Sequence, residues 1–391
     1  GFPGEIVLLG AEPHPPYQRP PLSKGYLLGK VPEAALWLKG EAAFRKKGIT
    51  LRQGVEVTAI DRAAREVVTG TGERIAYAKL ALATGARVRR LTLPGADLAG
   101  VHHLRDLADA RALSEAARTA RRAVVIGGGF IGLETAASLS GLGLAVTVVE
   151  PEDRLLKRAV PPVLSDWLLA LHRRAGVDVR LGAAPAAVCG EEGRVRAVTL
   201  AGGGRLPCEL VVVGIGVDPD DRLARAAGLE VDSGVVVDIH ALTSDPDIAA
   251  AGDCTVRPDR WAPGGSRRLR VQSVQNAIDQ GKVAGASLAG VEASHTAVPW
   301  FWSDQFDAKL QIAGHGAPED TVVLRGDPQS GSFSLYHFRD GRPVAVDSVN
   351  ATQDHMVARK LLAVGAAPTP ADVRDPSVAL ESFCSTGAGS S

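Results

Sequence analysis

Residues 121–134 read Arg121-Arg-Ala-Val-Val-Ile-Gly-Gly-Gly-Phe-Ile-Gly-Leu-Glu134. Ala123 to Ile126 is a short apolar, β-branched run, and Gly127, Gly129 and Gly132 follow it at G-x-G-x-x-G spacing. A helical stretch, Leu133 to Leu142, is closed by Gly143, and a second apolar run, Ala145 to Val149, ends at Glu150. Strand, glycine turn, helix, strand and terminal acid together make a βαβ unit of the dinucleotide-binding type. Gly127 permits the tight turn, Gly129 lets the backbone approach a pyrophosphate, and Gly132 allows close helix–strand packing. The diphosphate sits on the helix N-terminus, where free N–H groups and the dipole favour an anion. Glu150 stands 23 residues after Gly127, near the spacing of about 20 at which an acid accepts from a ribose 2′-hydroxyl and repels a 2′-phosphate. The unit is therefore expected to prefer NADH over NADPH, with Arg154, Lys157 and Arg158 as nearby cations able to soften that preference. A purely structural glycine-rich turn is the alternative for the glycines alone; the agreement of all five features argues against it.

Three further stretches have the same character. Lys79-Leu-Ala-Leu-Ala-Thr-Gly-Ala86 is a strand running into Thr84-Gly85, Leu210-Val-Val-Val-Gly-Ile-Gly216 is a strand ending in Gly214 and Gly216, and Asp247-Ile-Ala-Ala-Ala-Gly-Asp253 ends in Gly-Asp253. Open α/β sheets bind ligands outside the carboxyl ends of their strands, so each end is a candidate ligand contact; an ordinary βα turn is the competing reading for each. Near the start of the chain, PPYQRPPLSK (residues 15–24) follows the apolar run Ile6–Leu9. Its four prolines fix φ and remove N–H donors, so the segment is rigid and extended and places Arg19 and Lys24 at little ordering cost. Leu22-Ser23-Lys24 is read as a helix start continuing through Leu28. A proline-rich surface loop with two solvated cations is the plainer alternative.

Totals set the limits. The 391 residues suggest two or three domains, and 45% hydrophobic content supplies sizeable cores. Lys+Arg and Asp+Glu are 44 each, giving zero net charge and no global argument for nucleic acid or an anionic membrane. A local basic patch is left open by these totals, for example Arg257, Arg260, Arg267, Arg268 and Arg270. The cysteines, Cys189, Cys208, Cys254 and Cys384, are scattered, without the spacing of a zinc site, an iron–sulfur site or a CxxxxC redox pair. Scattered thiols, with no apolar run long enough to span a bilayer, suit a cytoplasmic protein. The nine histidines are dispersed, and His102 and His103 read as loop or surface residues.

PPYQRPPLSK, LALATG (80–85), GGGFIGLE (127–134), VVVGIG (211–216), AAGDC (250–254), VQSVQNA (271–277) and PWFWSDQ (299–305) occur in one order along the chain. In that combination the sequence resembles the FAD-dependent NADH:ferredoxin reductases, the putidaredoxin-reductase-like and rubredoxin-reductase-like group. The resemblance implies an α/β protein with two Rossmann-like dinucleotide-binding domains and a C-terminal α/β domain. The FAD domain is split over residues 1–105 and 230–293, the NAD domain covers 106–229, and the C-terminal interface domain covers 294–391. The group carries a first GxGxxG ahead of the strand at Ile6, which this sequence lacks; the FAD domain is thus expected to lack its first strand here, the chain to be N-terminally incomplete and its FAD binding weakened. Gly1 to Gly4 would end the preceding helix.

The resemblance also implies site residues. Lys24 lies near the flavin N5, and Glu134 faces it from the other domain; Glu134 otherwise reads as an ordinary residue of the second helical turn. The expected FAD contacts are Glu12 (with Ala11 as the competing position) for the adenosine ribose, Val57 for the adenine pocket, Thr84 and Gly85 at the pyrophosphate, Arg19 and Arg105 near the flavin, Asp253 at the ribityl chain, Val274 at the ring edge and Trp302 beside the ring. Trp300 reads as packing, and core filling is the plainer reading of both tryptophans. The implied activity is transfer of electrons from NADH through FAD to a small [2Fe–2S] ferredoxin serving a cytochrome P450 or dioxygenase, by a monomer or homodimer with no nucleic-acid or membrane partner. A rubredoxin reductase, or a flavoprotein of the NADH oxidase or nitrite reductase kind, is the alternative.

Overall fold

A computed structural model describes residues 4–259 and 267–384. These form two compact units. The first is built from the segment ending at Arg19, from Pro32–Arg87 and from Val217–Ala297; the second from Pro20–Val31, Val88–Gly216 and the segment beginning at Val298. Both are α/β, in keeping with the fold class expected from the sequence.

In the first unit, Ile6–Gly10 pairs in parallel with Ile49–Gln53, and Leu80–Leu82 pairs in parallel with Ile248–Ala250. An antiparallel sheet of Val57–Asp61, Glu66–Thr69 and Arg74–Ala76 lies in the same unit. Its core gathers Ile60, Val67, Leu82, Leu229, Val235, Ile248 and Ala250. The loops that leave the parallel strands of these two pairs at their carboxyl ends carry Glu12, Thr84-Gly85 and Gly252-Asp253, and the carboxyl ends of parallel strands are where ligands bind.

The second unit holds a five-stranded parallel sheet in the order Asp178–Leu181, Ala145–Glu150, Arg122–Ile126, Leu210–Val213, Val101–His102. The central strand is Arg122–Ile126, whose Ala123, Val124, Val125 and Ile126 are all buried. Such unbroken apolar runs are what a parallel sheet covered on both faces demands. The fingerprint helix spans Phe130–Gly141, three residues earlier at its start than the Leu133 expected, because the turn is completed by Gly127–Gly129 and Phe130 already has helical geometry. Its small residues Ala136, Ala137 and Ser138 are buried, which brings the helix close to the sheet.

Residues 20–31 depart from the helix expected over Leu22–Leu28. Pro20–Ser23 is a single 3-10 turn. The chain then curls through further turns, with Tyr26 N–H donating to the Pro21 carbonyl at 2.9 Å and Leu28 N–H to that of Lys24 at 2.9 Å. Two prolines without N–H groups and Gly25 and Gly29, the latter at φ +69°, explain why no regular helix grows there. Leu22 and Leu27 are buried and anchor the segment in the second unit.

The C-terminal part of the second unit is an antiparallel sheet in the order Trp300–Gln305, Ala308–Gly314, Arg342–Val349, Ser332–Arg339, Thr321–Asp327, with the helix Thr352–Val364 packed on it. Two adjacent strands of that sheet share a buried pair, His337 Nε2 to Asp347 Oδ2 at 2.9 Å. Burial opposes the imidazolium, but the bond and charge of Asp347, with Asp320 behind it, prevail and raise the His337 pKa. A raised folded value means stabilisation present below the unfolded pKa of about 6.5 and lost as pH rises through the folded one. Wild type is therefore expected to exceed Asp347→Asn in unfolding free energy by more at about pH 6 than at about pH 9, read by urea denaturation; a gap that widens with pH would contradict the assignment.

Candidate functional site

The glycine turn of the second unit is shaped by backbone crowding. Gly127 sits at φ +111°, and a Cβ there would meet the Gly214 carbonyl oxygen at 2.4 Å. A Cβ on Gly132 would meet the Gly127 carbonyl oxygen at 2.1 Å, and one on Gly214 would meet the Gly132 Cα at 3.1 Å. The two strand tips and the helix thus close on one another through three glycines. Gly129 differs: it caps the helix with φ −83° and ψ 176°, and a Cβ would meet nothing nearer than 3.8 Å. The space beside it is open, and neither a side-chain cap nor an acid occupies the first turn of the helix. That is the cradle a diphosphate requires. Gly216 continues the same strand end at φ +100°, its carbonyl accepting from Arg89 N–H at 3.0 Å.

Glu150 closes the cradle. Its Oε2 accepts from Gly128 N–H at 2.6 Å and its Oε1 from Glu152 N–H at 2.9 Å. A carboxylate offers about four lone-pair positions, so capacity remains for ribose hydroxyls. Arg154 turns inward, donating to the Val160 carbonyl at 2.7 Å, the Lys157 carbonyl at 2.7 Å and Ser165 Oγ at 2.8 Å. Lys157 is paired with Glu152 at 2.9 Å and Asp153 at 3.2 Å, while Arg158 is 85% exposed.

Glu134, in the second turn of the fingerprint helix, is only 2% exposed. Lys24 Nζ lies 2.9 Å from its Oε2. Ser23 Oγ donates to the same oxygen at 2.6 Å, and Ser303 Oγ donates to Oε1 at 2.7 Å. Burying a carboxylate is costly, so Glu134 persists where a half-buried cation and further hydrogen bonds hold it, as here. The two hydroxyls were not legible as site residues. Ser23 adjoins Lys24, and Ser303 and Gln305 share one buried face of the strand Trp300–Gln305, a two-residue alternation of buried polar groups that is the signal available in the sequence.

The remaining expected residues fall in both units. In the first, Glu12 is engaged by Tyr17, whose hydroxyl donates to Oε2 at 2.6 Å, and by the Arg19 guanidinium on Oε1; Arg19 also lies over the Tyr17 ring, 5.0 Å from its centroid. Val57 begins a half-buried strand. Thr84 Oγ1 donates to the Asp220 carbonyl at 2.5 Å, and Gly85 follows at φ +70°. Asp253 lies in the 3-10 turn Gly252–Cys254, and Val274 opens the helix Val274–Leu288, whose N-terminus Ser273 caps. Residues with the donor and acceptor groups a flavin nucleotide needs therefore stand at the carboxyl ends of that unit's parallel strands, which fits FAD. In the second unit, Arg105 is half-buried, its N–H donating to Asp109 Oδ2 at 2.9 Å. Trp302 is half-buried, 5.6 Å between ring centroids from Trp300, which in turn carries the Arg359 guanidinium at 4.6 Å and packs near His355. Burial, then the charges of Arg359 and Lys309, push the His355 pKa down to about 4.

Two expectations need correction. His103 lies in a loop, as one reading had it, but is buried, with its pKa lowered by burial first and by Arg90 and His102 after it; His102 is half-buried in a strand rather than a loop. The arginine cluster is not one exposed patch: Arg257 is buried, and Arg268 is neutralised by Glu230 at 2.6 Å and Asp232 at 3.2 Å. Arg260 lies outside the described residues.

A glycine cradle opening a helix and a Lys–Glu pair on the second turn of that helix, on an α/β frame, fit a pyridine-nucleotide-dependent redox protein. The profile of the pyridine nucleotide-disulphide oxidoreductase family matches residues 2–281, and that of the reductase C-terminal family matches residues 300–384. Rhodocoxin reductase from Rhodococcus erythropolis is 44% identical, over 96% of this chain and 87% of that protein. The anthranilate 1,2-dioxygenase system ferredoxin–NAD(+) reductase component of Burkholderia cepacia is 43% identical, over 97% and 92%. The solved covalent putidaredoxin reductase–putidaredoxin complex contains a chain with 35% identity and a TM-score of 0.94, covering 99% of this chain and 93% of that one. The chain belongs to the pyridine nucleotide-disulphide oxidoreductase family, among its FAD-dependent NADH:ferredoxin reductases. It is an oxidoreductase whose cofactors are FAD and a nicotinamide nucleotide.

Two glycine variants separate packing from binding. Gly132→Ala is expected to cost about 1–3 kcal/mol of stability through overpacking. Gly129→Ala is expected to leave stability within about 0.5 kcal/mol and weaken NADH about tenfold by crowding the diphosphate. Thermal melts and NADH titration check both; tight NADH binding by Gly129→Ala would remove the cradle from the site.

Proposed function

We propose that this protein is an NADH-dependent, FAD-containing reductase that supplies electrons to a [2Fe–2S] ferredoxin of a cytochrome P450 or dioxygenase system. The observation that carries this reading is the ion pair of half-buried Lys24 with buried Glu134, 2.9 Å apart, Glu134 lying on the helix that opens with the diphosphate cradle. It is supported by the names of the relatives, which are reductases of redoxins and of a dioxygenase system, and by the solved complex of one relative with putidaredoxin. FAD, when bound, would supply the conversion between a two-electron hydride donor and a one-electron iron–sulfur acceptor.

The chain's own residues bind, orient and exclude. Gly127, Gly129 and Gly132, with Gly214 and Gly216 opposite, receive the NADH diphosphate, and Glu150 accepts from the adenosine ribose. Lys24 supplies a positive charge where negative charge develops, and Glu134 keeps that ammonium in place; fixed charge of this kind needs no reorganisation during reaction. These two are the proposed catalytic residues. Glu12, Arg19, Val57, Thr84, Gly85, Arg105, Asp253, Val274 and Trp302 are the proposed FAD contacts. FAD-binding segments 1–105 and 230–293, an NAD-binding segment 106–229 and a C-terminal interface domain 294–391 are the corresponding division of the chain. We place the protein in the cytoplasm as a monomer or homodimer; among the described residues no helix is long and apolar enough to cross a membrane.

The decisive test is an anaerobic titration with NADH, following loss of flavin absorbance, and then reoxidation by a [2Fe–2S] ferredoxin. A flavin that stays oxidised, or a rubredoxin reduced faster than any ferredoxin, would overturn the corresponding half of the proposal. Glu134→Gln is expected to slow flavin reduction about tenfold or more, whereas an unchanged rate and NADH affinity would remove Glu134 from the site. Glu150→Gln is expected to raise the ratio of NADPH to NADH efficiency roughly tenfold or more by removing like-charge repulsion, read from the two kcat/KM values.

A further inference from the structure

A buried line of hydrogen bonds runs away from the Lys24–Glu134 pair. Ser303 Oγ, which reaches Glu134 Oε1 at 2.7 Å, lies 3.1 Å from Gln305 Nε2, and Gln305 Oε1 lies 2.9 Å from His172 Nε2. Ser303, Gln305 and His172 are each no more than 1% exposed. His172 belongs to the helix Pro162–Arg174 and has no partner at Nδ1; Phe306 stands edge-on to its ring. Among the described groups nothing else satisfies this imidazole, so the bond to Gln305 is what its burial is built around.

The line has one direction. Burial lowers the His172 pKa, with the Gln305 bond opposing, so the ring is neutral near neutral pH. A neutral ring facing an amide oxygen carries its proton on Nε2 and donates. The Gln305 amide then donates to Ser303 Oγ, which leaves the Ser303 hydroxyl proton for Glu134. Each group passes a donor onward, and the line ends on a group that accepts at both oxygens. Bonds aligned in this way polarise one another, more so in a dry interior. On its other oxygen Glu134 meets Ser23 and Lys24. Among the described residues, the other charges on the strands packed against the fingerprint helix are directed elsewhere: Asp304 alternates away from Ser303 on its strand, Glu150 is bound at Gly128 and Arg122 at Glu209.

We infer that His172, Gln305 and Ser303 form a positioning relay that aims the Glu134 carboxylate at Lys24. The relay rests on the function proposed above, since its purpose is to hold the Lys24 ammonium in its working place. None of the three touches substrate; they act through Glu134. The strand Trp300–Gln305 and the helix Pro162–Arg174 thereby contribute to a site whose charges come from elsewhere in the chain.

The test reads Glu134 with and without turnover. In the holoenzyme with 13C-labelled glutamate, infrared difference spectra against Glu134→Gln isolate the Glu134 carboxylate band. Ser303→Ala removes a direct donor, whereas Gln305→Met and His172→Leu act only through the line. All three are expected to move the band, the last two by less, and Ser303→Thr, which keeps the hydroxyl, to restore it. In rapid-mixing experiments Gln305→Met is expected to slow flavin reduction about three- to tenfold, with the dissociation constant for NADH within twofold of wild type. A band that moves in Ser303→Ala but stays fixed in both Gln305→Met and His172→Leu overturns the relay, as does a band unmoved in all three. Two variants at the far end keep the test open should one fail to fold. Failure of wild type to be reduced by NADH would sink the proposed function instead, and the infrared band would still judge the relay.

Discussion

The second unit depends on a place where no side chain fits. Gly127, Gly132 and Gly214 bring a helix and two strand tips to within backbone contact, and a Cβ on Gly127 or Gly132 would stand under 2.5 Å from a carbonyl oxygen. Because the helix begins that close to the sheet, its first N–H groups face open space beside Gly129, and the sheet ends in a notch lined by main chain. The second turn of the helix is buried by other elements: the turn that carries Ser23 and the strand that carries Ser303 both reach Glu134. The start of one helix thus carries an anion cradle, and its second turn a desolvated carboxylate.

Desolvation then dictates the company Glu134 keeps. An unpaired buried carboxylate costs several kcal/mol, so a cation and hydroxyl donors must converge on it. They come from segments far apart in sequence: Ser23 and Lys24 from the proline-rich turn, Ser303 from a strand of the C-terminal sheet. The rigid prolines matter here because a flexible loop would lose more entropy in holding Lys24 still.

How much of this was legible in the sequence follows from the range of each interaction. The βαβ unit was readable because its signals are local: an apolar strand, three glycines at fixed spacing, and an acid at the end of the next strand. Lys24 and Glu134 were named through family resemblance, and the structure brings them together. Their hydroxyl partners were not found, because Ser23 and Ser303 lie 111 and 169 residues from Glu134 and carry no pattern of their own beyond a buried alternation. The helix expected after Pro21 failed because two prolines and two glycines override the apolar spacing. The burial of His103 was not legible because burial is a tertiary property that an isolated histidine does not advertise.

The inward turn of Arg154 bears on how this protein can change over evolutionary time. Its guanidinium is tied to two carbonyls and a serine hydroxyl of its own loop and the next helix, so the first cation after the acid that ends the second strand is already engaged in the architecture. Neutralising that acid removes a repulsion without creating an attraction. A lineage switching to the phosphorylated coenzyme must also free this arginine or import another, and the first step on that path loosens a loop before it gains a ligand.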